Sequence, residues 1–287
     1  MTDTTRTKSY SILGAARLFS LPVGLFAGTI ALLSVLDHPQ FHPAAGLAAA
    51  LGSLLVQAAA NFLNDFSDLQ NPALAERLSP EQIRIIRINN RLGLLCLVAA
   101  AVLGLYIASL RGLMVVPVAL GGLIMALAYN MEPVALKRRG LGALLVFMMM
   151  GPYMMPAIAW AATGTLPDTS TWLHSLLFGL PIALLLISNE YRDIRYDTAN
   201  GDRTLAVRLG PERTRRLYRG LLILTLAAYA ALALLRPWWK PAWLLCALLA
   251  SGLWRLSEQP GPALPPATGK RVLALGLAHS LWFVFPA

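Results

Sequence analysis

Long apolar runs constrain this chain more than any other feature. They lie at about residues 14–36, 44–64, 92–110, 113–129, 141–163, 172–188, 217–235, 239–256 and 271–286. A helix needs about 17–25 such residues to cross bilayer hydrocarbon, where the backbone must satisfy its own hydrogen bonds. The runs predict an all-α, polytopic membrane bundle of about nine transmembrane helices. They form one domain over residues 1–287, with residues 1–10 polar and frayed. A composition 57% hydrophobic and only 13% charged excludes a soluble globule.

The formal net charge of +10 would suggest nucleic acid in a soluble protein. Here the cations sort by side. With the N-terminus inside, only Arg111, Arg236 and Lys240 of the 24 Lys and Arg residues face outward. That is the positive-inside pattern, and it needs no nucleic-acid partner. It predicts a cytoplasmic N-terminus and an extracytoplasmic C-terminus, in a membrane such as the bacterial inner membrane. Cys96 and Cys246 both sit in apolar runs, which predicts buried thiols and no disulfide framework. Four scattered histidines do not make a zinc site.

The chemistry concentrates at two ends of apolar runs. In Ser188 to Gly210, SNEYRDIRYDTANGDRTLAVRLG, a continuing helix puts Asn189, Asp193 and Asp197 four apart on one face. Two carboxylates and an amide suit a hard cation such as Mg²⁺, and Arg192 and Arg195 suit phosphate. A solvated amphipathic loop reads equally well from this stretch alone. A second stretch, Asn61 to Asp68 (NFLNDFSD), tips the balance. Asn61, Asp65 and Asp68 stand four and three apart and share a face if that helix continues. Two Asn/Asp clusters on one side of the membrane would hold Mg²⁺ across a diphosphate and neutralise its departing charge.

The inner loops carry helix starts. Ser79-Pro80-Glu81-Gln82 has the N-cap, N1 and N3 residues of a capping box, and Gly210-Pro211-Glu212 opens another helix. Short cytoplasmic helices would cap the site. Met148, Met149, Met150, Met154 and Met155 make an adaptable apolar surface that could line a lipid tunnel, but at helical spacing they read first as packing.

At this point the residues resemble a family. Asn64-Asp65-x-x-Asp68 and Asn189-x-x-Arg192-Asp193-x-x-x-Asp197 are similar to the two aspartate motifs of UbiA-type intramembrane prenyltransferases. The likeness is strongest to the branch acting on 1,4-dihydroxy-2-naphthoate. It extends through Gly201-x-Arg203-Thr204-Leu205-Ala206-Val207-Arg208-Leu209-Gly210, Arg17-x-x-Ser20-Leu21-Pro22 and Arg139-Gly140-Leu141-Gly142 to Gly151-Pro152. Ala143 and Asp202 stand where that branch usually has Glu and Lys, and Pro72 where an Asp is common. The resemblance implies a bundle around a central cavity open laterally to lipid, with the diphosphate at a cytoplasmic cap. It implies Asp65, Asp68, Asp193 and Asp197 as catalytic Mg²⁺ ligands. Asn61, Asn64 and Asn189 would orient them, and Lys137, Arg138, Arg192 and Arg17 would bind phosphate. The implied partners are a polyprenyl diphosphate, an aromatic acid acceptor (the naphthoate, or 4-hydroxybenzoate) and the lipid bilayer. A non-catalytic transporter or lipid-binding protein is the rival, since intramembrane acids also serve ion paths. Against it, the acids gather at one face, and matched broken helices are missing from the pattern.

Overall fold

The computed structural model describes residues 10–17, 20–66, 69, 75–76, 78–235 and 240–284, and every regular element among them is helical. Residues 1–9, expected to fray, and Asp68 of the first cluster lie outside the described residues. In order, the elements are α1 (Ile12–Ala16), α2 (Leu21–Leu33), α3 (Pro43–Leu63), α4 (Pro80–Arg111) and α5 (Val115–Asn130). A 3₁₀ turn (Leu136–Arg139), α6 (Gly142–Met148), a π turn (Met149–Tyr153) and α7 (Met154–Thr163) follow. Then come α8 (Thr169–Ala199), α9 (Leu205–Leu235), α10 (Lys240–Leu256) and α11 (Leu264–Val284).

Six stretches among the described residues are long and apolar enough to cross a membrane, against about nine expected. They are Ile12–Leu33, α3, α4, Gly142–Thr163, α8 and α9. α5 has 16 residues, and in α11 the prolines 265 and 266 with Lys270 and Arg271 dilute the apolar face; α10 is described only from Lys240, over 17 residues.

Local signals set the boundaries. At Ser79 the capping box forms in full: Gln82 N–H donates to the Ser79 hydroxyl oxygen (3.2 Å), and Ser79 N–H donates to Gln82 Oε1 (2.9 Å). α4 therefore begins well before its apolar run. Gly210, at φ 72°, interrupts α9, so Leu205–Leu209 is a short leading segment and a second helix opens at Pro211. One run expected to be continuous is broken. α1 ends at Ala16, and Arg17 takes a left-handed conformation (φ 47°) before α2 starts. His42, in its Pro-containing loop, is a capping residue: Ala45 N–H donates to its Nδ1. Arg111, on the side with few cations, donates to the carbonyls of Ala161 (2.9 Å) and Ala162 (2.7 Å) at the end of α7. Cationic groups there satisfy orphan carbonyls.

α8 organises the bundle, packing against α2, α6, α7, α9 and α11. Its Phe178, Ile182 and Leu185 bury against Val23, Ala27 and Ile30 of α2, Met155 and Ile158 of α7, and Val272 of α11. Small residues allow the closest crossing. A Cβ on Gly151 in the π turn would lie 2.6 Å from the Ser175 carbonyl oxygen and 3.2 Å from Gly179 Cα. Close backbone approach of this kind is how membrane helices gain packing without a hydrophobic drive. The π turn itself contains Pro152, whose missing N–H leaves a gap that a wider turn absorbs. On the outer faces, Leu94, Leu95, Val98, Val102 and Leu105 of α4 are exposed, as a lipid-facing surface requires.

Candidate functional site

The helices line a cavity of about 820 Å³. Its walls run from Ile107, Val115 and Trp160 at one end to Lys137, Asn189, Asp193 and Asp197 at the other. On α8 alone, Ile182 to Asp197 corresponds to about 22 Å of helix at 1.5 Å per residue. Most of that length is apolar. Met149, Met150 and Met154 line it, so three of the five methionines read as packing serve the cavity wall instead. Only Met155 of the five is fully buried.

The polar end is built by three segments. α8 continues as helix to Ala199, so Asn189, Asp193 and Asp197 do share a face, and all three line the cavity. Asn189 Nδ2 donates to the Leu185 carbonyl (3.0 Å), which leaves the amide oxygen as its forward atom. Arg192 grips Asp193 with two bonds, Nε to Oδ1 at 2.7 Å and Nη2 to Oδ2 at 2.5 Å. Asp197 is buried, and its Oδ2 accepts from the Thr204 hydroxyl (3.1 Å). The loop after α8 folds back over this end: Asp202 N–H donates to the Asp197 carbonyl, and Arg203 N–H to the Arg138 carbonyl, both at 2.9 Å.

The break at Arg17 supplies the second segment, and Arg17 lines the cavity. Asn61 locks that break in place, its Nδ2 donating to the Ala16 carbonyl (3.3 Å) and the Ser20 hydroxyl (3.1 Å). Gln57 donates to the Ser20 carbonyl (2.9 Å) one turn earlier. The 3₁₀ turn supplies the third segment, Lys137. Its half-buried ammonium faces the cavity and forms no ion pair among the described residues, nor does the Arg17 guanidinium. Burial first, and the neighbouring Arg17 second, hold the Lys137 pKa below the ordinary lysine value, against the pull of Asp197 and Glu190. Two cations without an ion-pair partner among the described residues, at the polar end of an apolar cavity, suit an anion.

Other residues singled out from the sequence sit elsewhere. A common face of Asn61 and Asp65 required α3 to continue, but α3 stops at Leu63 with Asn64 as its C-cap, and Asp68 lies outside the described residues. Asp65 is buried and, like Asn64, is not among the residues lining the cavity. Arg138 also lies off the cavity wall, paired to Glu132 and Asp202 at 3.4 Å each. Among the described residues no three acids, histidines or cysteines stand close enough to hold a metal together. The oxygen donors of Asn189, Asp193 and Asp197 nonetheless have the hard-ligand chemistry that Mg²⁺ takes. Sequence reasoning missed Glu190, which lines the cavity and is 2% exposed. Its signal was present: Glu190, Asp193 and Asp197 stand at i, i+3 and i+7, the spacing of one helix face.

Fold and cavity together define an all-helical integral membrane protein with an apolar chamber capped by acids and cations. The chain belongs to the UbiA prenyltransferase family, which its residues 22–260 match. It is 29% identical over 186 residues to 1,4-dihydroxy-2-naphthoate octaprenyltransferase of Mycobacterium tuberculosis, covering 62% of each chain. It is 28% identical over 236 residues to the enzyme of the same name from Mycobacterium leprae, covering 78% of this chain and 76% of that one. UbiA prenyltransferase domain-containing protein 1 of Dictyostelium discoideum is 29% identical over 182 residues, 60% of this chain and 55% of that protein. The matched stretch thus spans between half and two thirds of two of these relatives. Among solved structures, a UbiA homologue from Aeropyrum pernix K1 superposes with TM-score 0.64 at 20% identity, covering 93% of this chain and 96% of that one. A homologue from Archaeoglobus fulgidus, solved with GPP and Mg²⁺, superposes with TM-score 0.61 at 15% identity, covering 95% and 99%.

Proposed function

We propose that the protein transfers a polyprenyl chain from its diphosphate to an aromatic acceptor, 1,4-dihydroxy-2-naphthoate, with loss of the acceptor's carboxylate. The observation that carries this is the pairing of an apolar cavity with two cations, Arg17 and Lys137, that have no ion-pair partner among the described residues. A long apolar tail joined to a diphosphate matches that gradient from end to end. The naphthoate-acting relatives and the GPP-bound homologue support the same reading.

Lys137 and Arg17 would bind phosphate oxygens, with Arg192 and Arg138 available by exchanging their carboxylate partners. A Mg²⁺ ion would be held by Asp193 and Asp197 with Asp65 and Asp68, and when bound it supplies positive charge to the departing diphosphate. Asn61, Asn64 and Asn189 would add amide oxygens or orient the carboxylates. Breaking the allylic C–O bond leaves its electron pair on the diphosphate. The electron-rich ring carbon that bears the carboxylate then forms the new C–C bond. The carboxylate leaves as carbon dioxide, returning its electron pair to the ring. The methionine- and leucine-lined wall keeps water from capturing the allylic cation as an alcohol.

The test is an assay of membranes holding the protein, with radiolabelled polyprenyl diphosphate, Mg²⁺ and a panel of aromatic acids. Prenylated, decarboxylated naphthoate is the expected product. Prenylation of 4-hydroxybenzoate with the naphthoate ignored would refute the acceptor. Substrate-driven ion uptake in proteoliposomes without any prenylated product would refute the transferase.

A further inference from the structure

Glu190 is the one buried acid of the cavity that neither the metal nor the diphosphate reading uses. Its two oxygens differ. Oε2 accepts from Ala206 N–H (3.3 Å) at the start of α9, where helix N–H groups lack intrahelical partners. Oε1 is buried and has no hydrogen-bond partner among the described residues. Space is kept for it: a Cβ on Gly142 would sit 3.0 Å from Oε1 and 3.3 Å from Lys137 Cα. A buried carboxylate oxygen without a donor is costly, so such an atom marks a place where a ligand brings one.

The chemistry of the candidate ligands chooses between them. A prenyl tail has no donor, and a diphosphate brings negative charge toward a carboxylate. An aromatic hydroxyl brings a donor and no charge. We propose that Glu190 is a specificity residue for the acceptor, with Oε1 accepting the hydrogen of an aromatic hydroxyl group. This rests on the prenyl-transfer reading for the acceptor's class. In 1,4-dihydroxy-2-naphthoate the 1-hydroxyl is turned inward to its own carboxylate, so the 4-hydroxyl is the donor Oε1 takes. Asp193 and Asp197 on the same helix face remain for the diphosphate end, and Lys137 is attracted by both Asp197 and Glu190.

The test reads binding, not turnover. Solubilised protein is titrated with 1,4-dihydroxy-2-naphthoate under reducing conditions and with its analogue methylated on the 4-oxygen. Wild type should prefer the free hydroxyl by about 10- to 100-fold, the range of a hydrogen bond to a charged group. Glu190→Gln keeps the Ala206 bond through its amide oxygen but turns N–H groups toward the cavity, and should abolish the preference. Its affinity for inorganic pyrophosphate with Mg²⁺ should be unchanged or higher. Gly142→Ala gives a second route, because its methyl crowds Oε1 without altering the acid, and it should weaken the preference too. An equal preference in wild type and both variants overturns the proposal, as does a wild type indifferent to methylation. Weaker Mg²⁺-dependent pyrophosphate binding in Glu190→Gln would assign the oxygen to the cation and also overturn it. Should wild type make no prenylated product and still show a Glu190-dependent preference, the transfer reading falls and this inference stands.

Discussion

Replacing Lys137 with Met separates a binding role from a structural one, because the two act with opposite sign. The ammonium faces the cavity, has no ion-pair partner among the described residues and lies near Arg17, so its protonated form is a burden on the folded state. Removing it should leave thermal stability unchanged or raise it. For a bound diphosphate the same ammonium is an asset. A hydrogen bond to a charged partner contributes about 1.5–3 kcal/mol, so its loss should lower kcat/KM for the polyprenyl diphosphate roughly 10- to 150-fold. The KM for the acceptor should hardly move. Activity of reconstituted protein and the unfolding midpoint of the same preparation are the two measurements. The pH dependence follows the depressed pKa. Protonation is disfavoured in the folded state, so the stability penalty is present at neutral pH and is relieved as pH rises through the folded-state value. Diphosphate binding fades over that same rise, and Lys137→Arg, which stays charged, should extend activity to higher pH. A Lys137→Met protein that unfolds earlier yet binds diphosphate normally would refute the reasoning.

Asp193→Asn should lower turnover about a hundredfold, by analogy with the loss of other groups that stabilise developing charge, while Asp202→Asn, paired to Arg138 off the cavity wall, should change little. Near-wild-type turnover in a folded Asp193→Asn protein would remove Asp193 from the metal site. Gly151→Ala pushes a methyl onto the Ser175 carbonyl and should cost about 1–3 kcal/mol of stability, seen as a lower unfolding midpoint; an unchanged midpoint would mean the π turn relaxes freely. Ser79→Ala removes the α4 capping box and should cost about 1 kcal/mol without altering kcat, measured by hydrogen exchange at Ile83 to Arg87. A reporter fused after Ala287 should read as extracytoplasmic and one near Gly201 as cytoplasmic, following the Lys and Arg bias; cytoplasmic signal at both would mean an odd number of crossings is misassigned.

The sequence alone determined what depends on near neighbours in the chain. Apolar runs of membrane length give helices because unsatisfied backbone is intolerable in lipid. Ser79 with Gln82, and Gly210 with Pro211, mark helix starts through bonds and dihedrals reaching only a few residues. The shared face of Asn189, Asp193 and Asp197 also follows from spacing, because α8 continues through it. The same arithmetic did not hold for Asn61 and Asp65, since α3 stops at Leu63 and spacing cannot announce where a helix ends; Asp68 lies outside the described residues. What only the tertiary structure decided is which polar groups meet and which remain unsatisfied. Arg17 reaches the cavity because the chain breaks beside it and Asn61, 44 positions on by sequence number, pins the break. Lys137 and Arg17 can be read as an anion site only because folding brings both to the cavity wall without an ion-pair partner among the described residues. Glu190 differs from an ordinary helix acid through one oxygen bonded to Ala206 and another buried without a hydrogen-bond partner among the described residues. These properties depend on distance and solvent exclusion between remote segments, and neither quantity is written in the local order of residues.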